Sequence, residues 1–216
     1  MNDDLFDSNE ASGPPTILAE GAVVLKRFAA AYTVAVVAEL EAIFARAPLR
    51  HLVTPGGQIM SVAMTNCGQV GWVSDRRGYR YDSRDPETGH AWPRMPASFH
   101  ALATAAAQAA GYARFAPDAC LINRYVPGAR LTSHQDKNER NYAAPIVSVS
   151  LGLPAKFRFG GARRKDPAAH IVLRHGDVAV WGGVSRLAFH GVDALPDGLD
   201  PVLGRCRINL TFREAL

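Results

Sequence analysis

Residues 119–159 read ACLINRYVPGARLTSHQDKNERNYAAPIVSVSLGLPAKFRF. The runs ACLINRYV, LTSH, IVSVSLGL and KFRFG are rich in apolar and β-branched residues, and turn signals such as Pro127-Gly128 separate them. The same grammar continues with HIVLRH, DVAVWGG, RLAFHGV and RCRINLTFR, broken at Gly160-Gly161 and at His175-Gly176-Asp177. Short strands in this number, without intervening helices, predict an antiparallel sandwich or jelly roll over about residues 118–216.

Upstream the pattern is mixed. EGAVVLKRF, residues 20–28, predicts a strand, and AAAYTVAVVAELEAIFAR, residues 29–46, predicts a helix. Ser98 is placed to cap a second helix, FHALATAAAQAAG, which ends at Gly111. Between the helices, residues 51–96 are dense in Gly, Pro, Arg, Asp and aromatics. That is too long for an ordinary loop and is expected to form short hairpins of a functional flap. Residues 1–15 read as a flexible tail, which leaves 16–216 as a single domain, mainly β with flanking helices.

Bulk properties narrow the class. With 48% hydrophobic residues in 216, the chain can bury one sizeable core. Its three cysteines are scattered, which argues against a disulfide scaffold and for a reducing compartment. The opening MNDDLFDSNEASGPP is acidic and polar, unlike a signal peptide, and no apolar run reaches membrane-spanning length. A cytoplasmic protein with no membrane contact is expected. The net charge of +4 is compatible with a polyanionic partner without establishing one.

The chemistry starts at His134-Gln135-Asp136. Strand alternation would aim an imidazole and a carboxylate at one face, and His190, at the end of RLAFH, can supply a third ligand. Two histidines and one carboxylate on one face of an octahedron leave three positions open, as in non-haem Fe(II) oxygenases. Catalytic zinc sites use the same residue types, and His-x-Asp alone is common by chance. RCRINLTFR shifts the balance toward iron. Arg207, Asn209, Thr211 and Arg213 share one face of this strand, and Cys206, Ile208, Leu210 and Phe212 share the other. Two arginines on an inner face are costly unless an anion neutralises them, and arginine forks match carboxylates. A dicarboxylic acid such as 2-oxoglutarate meets that need, with Arg207 or Arg213 as its anchor. Asn123 and Tyr125 alternate in the same way and read equally as ligand contacts or as strand surface.

NRYVPGARLTSHQDKNE, PIVSVSLGLPAKFRFGG, HGDVAVWGGVSRLAFHGV and RCRINLTFR, together with TPGGQIMSVAMTNCGQVGW, resemble the AlkB alkylation-repair dioxygenases over nearly the whole chain after the tail. The resemblance implies a double-stranded β-helix with a nucleotide-recognition lid. It implies Fe(II) on His134, Asp136 and His190, and 2-oxoglutarate on Asn123, Tyr125, Arg207, Asn209 and Arg213, with O2 as second cosubstrate. It implies substrate contacts at Trp72, Tyr79 and Arg164, and it aligns His175 and Trp181. The implied activity is oxidative demethylation of bases such as 1-methyladenine and 3-methylcytosine in single-stranded or duplex DNA, with RNA as a second candidate, by a monomer. Trp72 would stack on an extruded base opposite His134, and basic residues (Arg76, Arg77, Arg80, Arg130, Arg163, Arg164) would attract the phosphate backbone. Asn138 departs from the pattern, since the family position holds an aspartate that contacts the base; Gln58 likewise replaces an aromatic lid residue. Two alternatives stay open: a 2-oxoglutarate oxygenase acting on RNA, protein or a small molecule, and a metal-bound nucleic-acid-binding protein without catalysis.

Overall fold

The computed structural model describes residues 14–216, so the expected tail lies outside the described residues except for its last two positions. Fourteen strands and two helices follow in the order β1 (Thr16–Ala19), β2 (Ala22–Leu25), α1 (Thr33–Arg46), β3 (Arg50–Val53), β4 (Ile59–Gly68), β5 (Gly71–Asp75), β6 (Gly78–Asp82), α2 (Ala97–Ala109), β7 (Ala119–Tyr125), β8 (Leu131–His134), β9 (Ile146–Gly152), β10 (Ala155–Phe159), β11 (Ala169–Leu173), β12 (Val178–Trp181), β13 (His190–Val192) and β14 (Arg207–Arg213). An eight-stranded sheet runs β1-β2-β12-β9-β14-β7-β4-β3, and a four-stranded sheet runs β11-β10-β13-β8. The ladders are antiparallel throughout. This is the expected jelly roll.

The large sheet is buried on both faces, and the side-chain period of two sorts its residues between them. Ile208, Leu210 and Phe212 of β14 join Ile122, Val147 and Val149 against Leu40 and Ile43 of α1 and Phe99 and Leu102 of α2. On the other face, Val24, Met64, Tyr125 and Trp181 pack with Phe157, Phe159 and Val192 of the smaller sheet. At about 25 cal/mol per Å² of apolar surface, these two layers supply the main driving force for folding.

Two local expectations are corrected. Residues 51–96 do not form one flap. β4 pairs with β7 along six residue pairs, so β3 and β4 extend the large sheet, and only β5 and β6 form a separate hairpin. β4 lies inside the sheet, between β7 and β3, and pattern alone does not tell such a strand from a hairpin arm. Ser98 does not cap α2. Pro96 holds the N-cap position and no side-chain cap bond forms, while the Ser98 hydroxyl is buried without a partner. Pro96 has the extended backbone of an N-cap residue (ψ 149°), so the helix begins at Ala97, one residue before Ser98.

Candidate active site

β8 and β13 are neighbours in the small sheet, and His134 and His190 face one another directly across the ladder. Direct partners project to the same side. Gly191 permits the close approach: a Cβ there would lie 2.8 Å from the Leu131 carbonyl oxygen. The two rings are 4.4 Å apart between centroids. Each Nδ1 lies against a backbone carbonyl, His134 at Thr132 O (2.9 Å) and His190 at Ala188 O (3.0 Å). A carbonyl only accepts, so each Nδ1 carries the proton and each Nε2 keeps its lone pair. Asp136 completes the cluster, with Oδ1 3.7 Å from His134 Nε2 and Oδ2 3.9 Å from His190 Nε2. The candidate ligand atoms all lie within 4.8 Å of one another.

Strand alternation does not place Asp136, because β8 ends at His134. Arginines place it. Arg213 donates to Asp136 Oδ2 through Nε (3.1 Å) and Nη2 (2.8 Å), and Arg186 donates to its backbone carbonyl at 2.8 Å. Burial alone would raise the Asp136 carboxyl, but Arg213, His190 and His134 outweigh it and hold it below the usual carboxylate range. Burial, reinforced by His134, pulls His190 down to about 4, so it is neutral and ready to ligate. Trp181 packs on the His190 ring at 4.8 Å.

The inner row of β14 is buried as predicted, but its two arginines are not equivalent. Arg213 is already paired with Asp136 and with Glu139 (3.3 Å). Arg207, 1% exposed, donates to Ser150 Oγ at 2.9 Å and lies over the Tyr125 ring at 5.1 Å. Its Nε and Nη1 have no partner. Among the described residues, it is in no ion pair. Asn209 and Asn123 sit opposite one another in the β14–β7 register; Asn123 Nδ2 reaches Asn209 Oδ1 at 3.4 Å, and Asn123 Oδ1 is left unpartnered. A buried cation lacking a counter-charge, beside unpaired amide and guanidinium atoms, fits a carboxylate ligand. Three histidine and carboxylate atoms left free to face a common centre fit a divalent metal.

The hairpin carries the expected aromatics. Trp72 and Tyr79 stack at 5.5 Å with 14° between planes, and Trp72 Nε1 donates to Asn138 Oδ1 at 3.1 Å. Tyr79 is 45% exposed. Gly71, just before Trp72, is buried against Trp92 and Asn66. Arg164 donates to the Ser133 carbonyl and lies 4.8 Å from the Phe189 ring centroid, one residue from the metal cluster. Two of the basic residues are already spoken for, since Arg77 and Arg80 pair with Asp75. Gln58 lies exposed in the turn before β4. His175 is structural: its Nδ1 accepts from Gly152 N–H at 3.0 Å and its Nε2 meets Thr33 Oγ1 at 3.1 Å. Glu139, Arg186, Tyr81 and Ser150 also reach the site, and their sequence context does not point to them. A charged residue in a polar loop reads as solvated, and nothing local marks it as buried.

The family model of the 2OG-Fe(II) oxygenase superfamily matches residues 21–213, and the chain belongs to that superfamily. It is therefore an Fe(II)- and 2-oxoglutarate-dependent dioxygenase. The chain is 55% identical over 212 residues to the alpha-ketoglutarate-dependent dioxygenase AlkB of Escherichia coli, spanning 98% of this chain and 97% of that protein. It is 57% identical over 198 residues to the protein of the same name from Salmonella typhimurium, spanning 92% of each. Among solved structures, OsALKBH1 superposes with a TM-score of 0.82 at 30% identity, over 93% of this chain and all of that one, 100%.

Proposed function

We propose that this dioxygenase repairs alkylated DNA by oxidative demethylation of bases such as 1-methyladenine and 3-methylcytosine, with RNA as a second substrate. One observation carries the reading: the stacked Trp72–Tyr79 pair is tied through Trp72 to Asn138, two residues past the metal ligand Asp136. A half-buried Trp72 beside an exposed Tyr79, close to the candidate metal ligands, offers the stacking surface that an extruded base needs. The similarity to AlkB proteins supports the same substrate class. The β5–β6 hairpin would serve as the recognition lid. The enzyme would act as a monomer in the cytoplasm; its three free cysteines suit that compartment, and no described helix is long and apolar enough to cross a membrane.

His134 Nε2, Asp136 Oδ1 and His190 Nε2 would hold the metal, and their backbone and arginine partners fix which atoms face it. Arg207, the arginine without a counter-charge, would take the distal carboxylate of 2-oxoglutarate over the Tyr125 ring, with Asn123 beside it. Arg213 and Asn209 would bound the other end. When bound, Fe(II), 2-oxoglutarate and O2 supply the oxidising step, which releases succinate and CO2 and, from a methylated base, formaldehyde. Trp72 and Tyr79 would hold the base and keep water from it, and Arg164 would contact the strand. No protein nucleophile is required.

The deciding assay is formaldehyde and succinate release from a 3-methylcytosine oligonucleotide, with His134→Ala as control. Methylated RNA and a methyl-lysine peptide run beside it. Turnover of the peptide with none on either nucleic acid would overturn the substrate reading.

A further inference from the structure

A second buried polar group adjoins the metal cluster without belonging to it. Glu139 is 5% exposed. Its Oε1 accepts from the Tyr81 hydroxyl at 2.6 Å and lies 3.3 Å from Arg213 Nε, and its Oε2 accepts from Arg186 Nη2 at 3.1 Å. Arg186 also donates to the Ala144 carbonyl at 3.0 Å, which clamps the loop that follows Asp136. The cluster is balanced, with two arginines for the two carboxylates Asp136 and Glu139.

Tyr81 is the direct cross-strand partner of Trp72, so both side chains leave one face of the hairpin. Trp72 meets Asn138 and Tyr81 meets Glu139. Paired residues of the hairpin therefore grip consecutive residues of the metal loop. The Trp72 contact is exposed at its Asn138 end. The Tyr81 contact is half-buried, ends on the buried Glu139, and continues inward through Arg213 to Asp136.

We propose that Tyr81 and Glu139 are positioning residues that couple the hairpin to the cosubstrate pocket. Glu139 and Asp136 share one guanidinium, so what Glu139 lacks from Tyr81 it draws from Arg213. Removing the phenol donor from a carboxylate with little access to water strengthens its pull on Arg213 and loosens the Arg213–Asp136 contact. Arg213 Nη1, buried and unpartnered, shifts with it. The effect runs both ways: a ligand that fixes Arg213 steadies the hairpin, and nucleic acid on the hairpin tightens cosubstrate binding by the same factor. The second half rests on the substrate reading above; the first half does not.

The test uses the full chain loaded with Mn(II) in place of Fe(II), so that binding is read without turnover. 2-Oxoglutarate is titrated into wild type, Tyr81→Phe, Glu139→Gln and the double variant. The expected result is a rise in Kd of about fivefold for Tyr81→Phe and about tenfold for Glu139→Gln, with the double variant no worse than the larger single one, as for groups acting in series. A merely structural role would lower the melting temperature of the ligand-free protein and leave the Kd of both single variants at the wild-type value, which would overturn the proposal. A second arm measures binding of a single-stranded 3-methylcytosine oligonucleotide with and without 2-oxoglutarate. The wild-type enhancement should fall toward one in Tyr81→Phe, and an enhancement kept in full would also overturn the coupling. If wild type binds no oligonucleotide at all, the substrate reading fails, and the 2-oxoglutarate titration still decides the coupling. Tyr81→Phe keeps the ring, so it carries both arms if Glu139→Gln does not fold.

Discussion

Trp72 Nε1 donates to Asn138 Oδ1 at 3.1 Å, which joins the stacked aromatic of the hairpin to the residue where this chain departs from the family pattern. An aspartate at 138 would accept the same indole hydrogen. The departure therefore leaves this anchor in place and removes only a charge. 1-Methyladenine and 3-methylcytosine are cationic. Asn138→Asp should raise kcat/KM for 3-methylcytosine over a neutral substrate by about fivefold, the ~1 kcal/mol of an exposed charge pair. Competition between the two lesions checks it; an unchanged ratio would show that this side chain does not sense base charge.

Arg207 and Arg213 should respond in opposite ways to removal of their charge. Arg207→Met replaces a buried, uncompensated cation with an apolar chain, so the ligand-free protein should be as stable as wild type or more so. Its Kd for 2-oxoglutarate should rise by ~30-fold or more, the ~2 kcal/mol or more lost when one partner of a buried charge pair is cut. Arg213→Met strands Asp136, although Glu139 keeps Arg186 and Tyr81, and should cost the ligand-free protein ~3 kcal/mol or more. Urea melts with and without 2-oxoglutarate separate the two. Equal destabilisation of both variants would sink the distinction.

Acid should weaken the metal-free protein in a defined window. His190 sits at about 4, against an ordinary value near 6.5. Between those pH values the unfolded chain binds a proton that the folded chain refuses, so stability falls as pH drops from 6.5 to 4. The full effect is about 3 kcal/mol. Asp136, held below its ordinary range, extends the loss further into acid with the same sign. Denaturant midpoints between pH 7 and 4 for wild type and His190→Gln measure the term. The variant should lack this slope, and identical slopes would disprove the assignment to His190.

Gly71→Ala should loosen the hairpin at its base. The added Cβ would lie 2.5 Å from Trp92 Cε2 and 2.7 Å from Asn66 Cγ. Asn66 brackets the backbone of Trp72, accepting from its N–H at 2.9 Å and donating to its carbonyl at 3.0 Å. Overpacking of this kind costs about 1–3 kcal/mol. A urea midpoint within error of wild type would mean that the neighbours move aside freely.

The β14 strand was legible because strand alternation is a property of the backbone. Once RCRINLTFR is read as a strand, the Arg-Asn-Thr-Arg row and the Ile-Leu-Phe row must face opposite ways, and they do. The His134–Asp136–His190 set was legible as residue types, although Asp136 is held by Arg213 and not by the strand. The division of residues 51–96 between sheet and hairpin is not legible in sequence, because the pairing partner of β4 lies more than fifty residues downstream in β7. Glu139, Tyr81 and Arg186 left no local signal at all.

By itself, then, the sequence determined the β-rich order of elements, the metal-ligating residue types and the buried arginine row, because these depend on side-chain chemistry and short-range periodicity. Only the tertiary structure decided that Arg207 lacks a counter-charge while Arg213 is shared between Asp136 and Glu139, and that Tyr81 reaches the same group. Burial and charge pairing depend on which distant segments meet, and no stretch of chain carries that information alone.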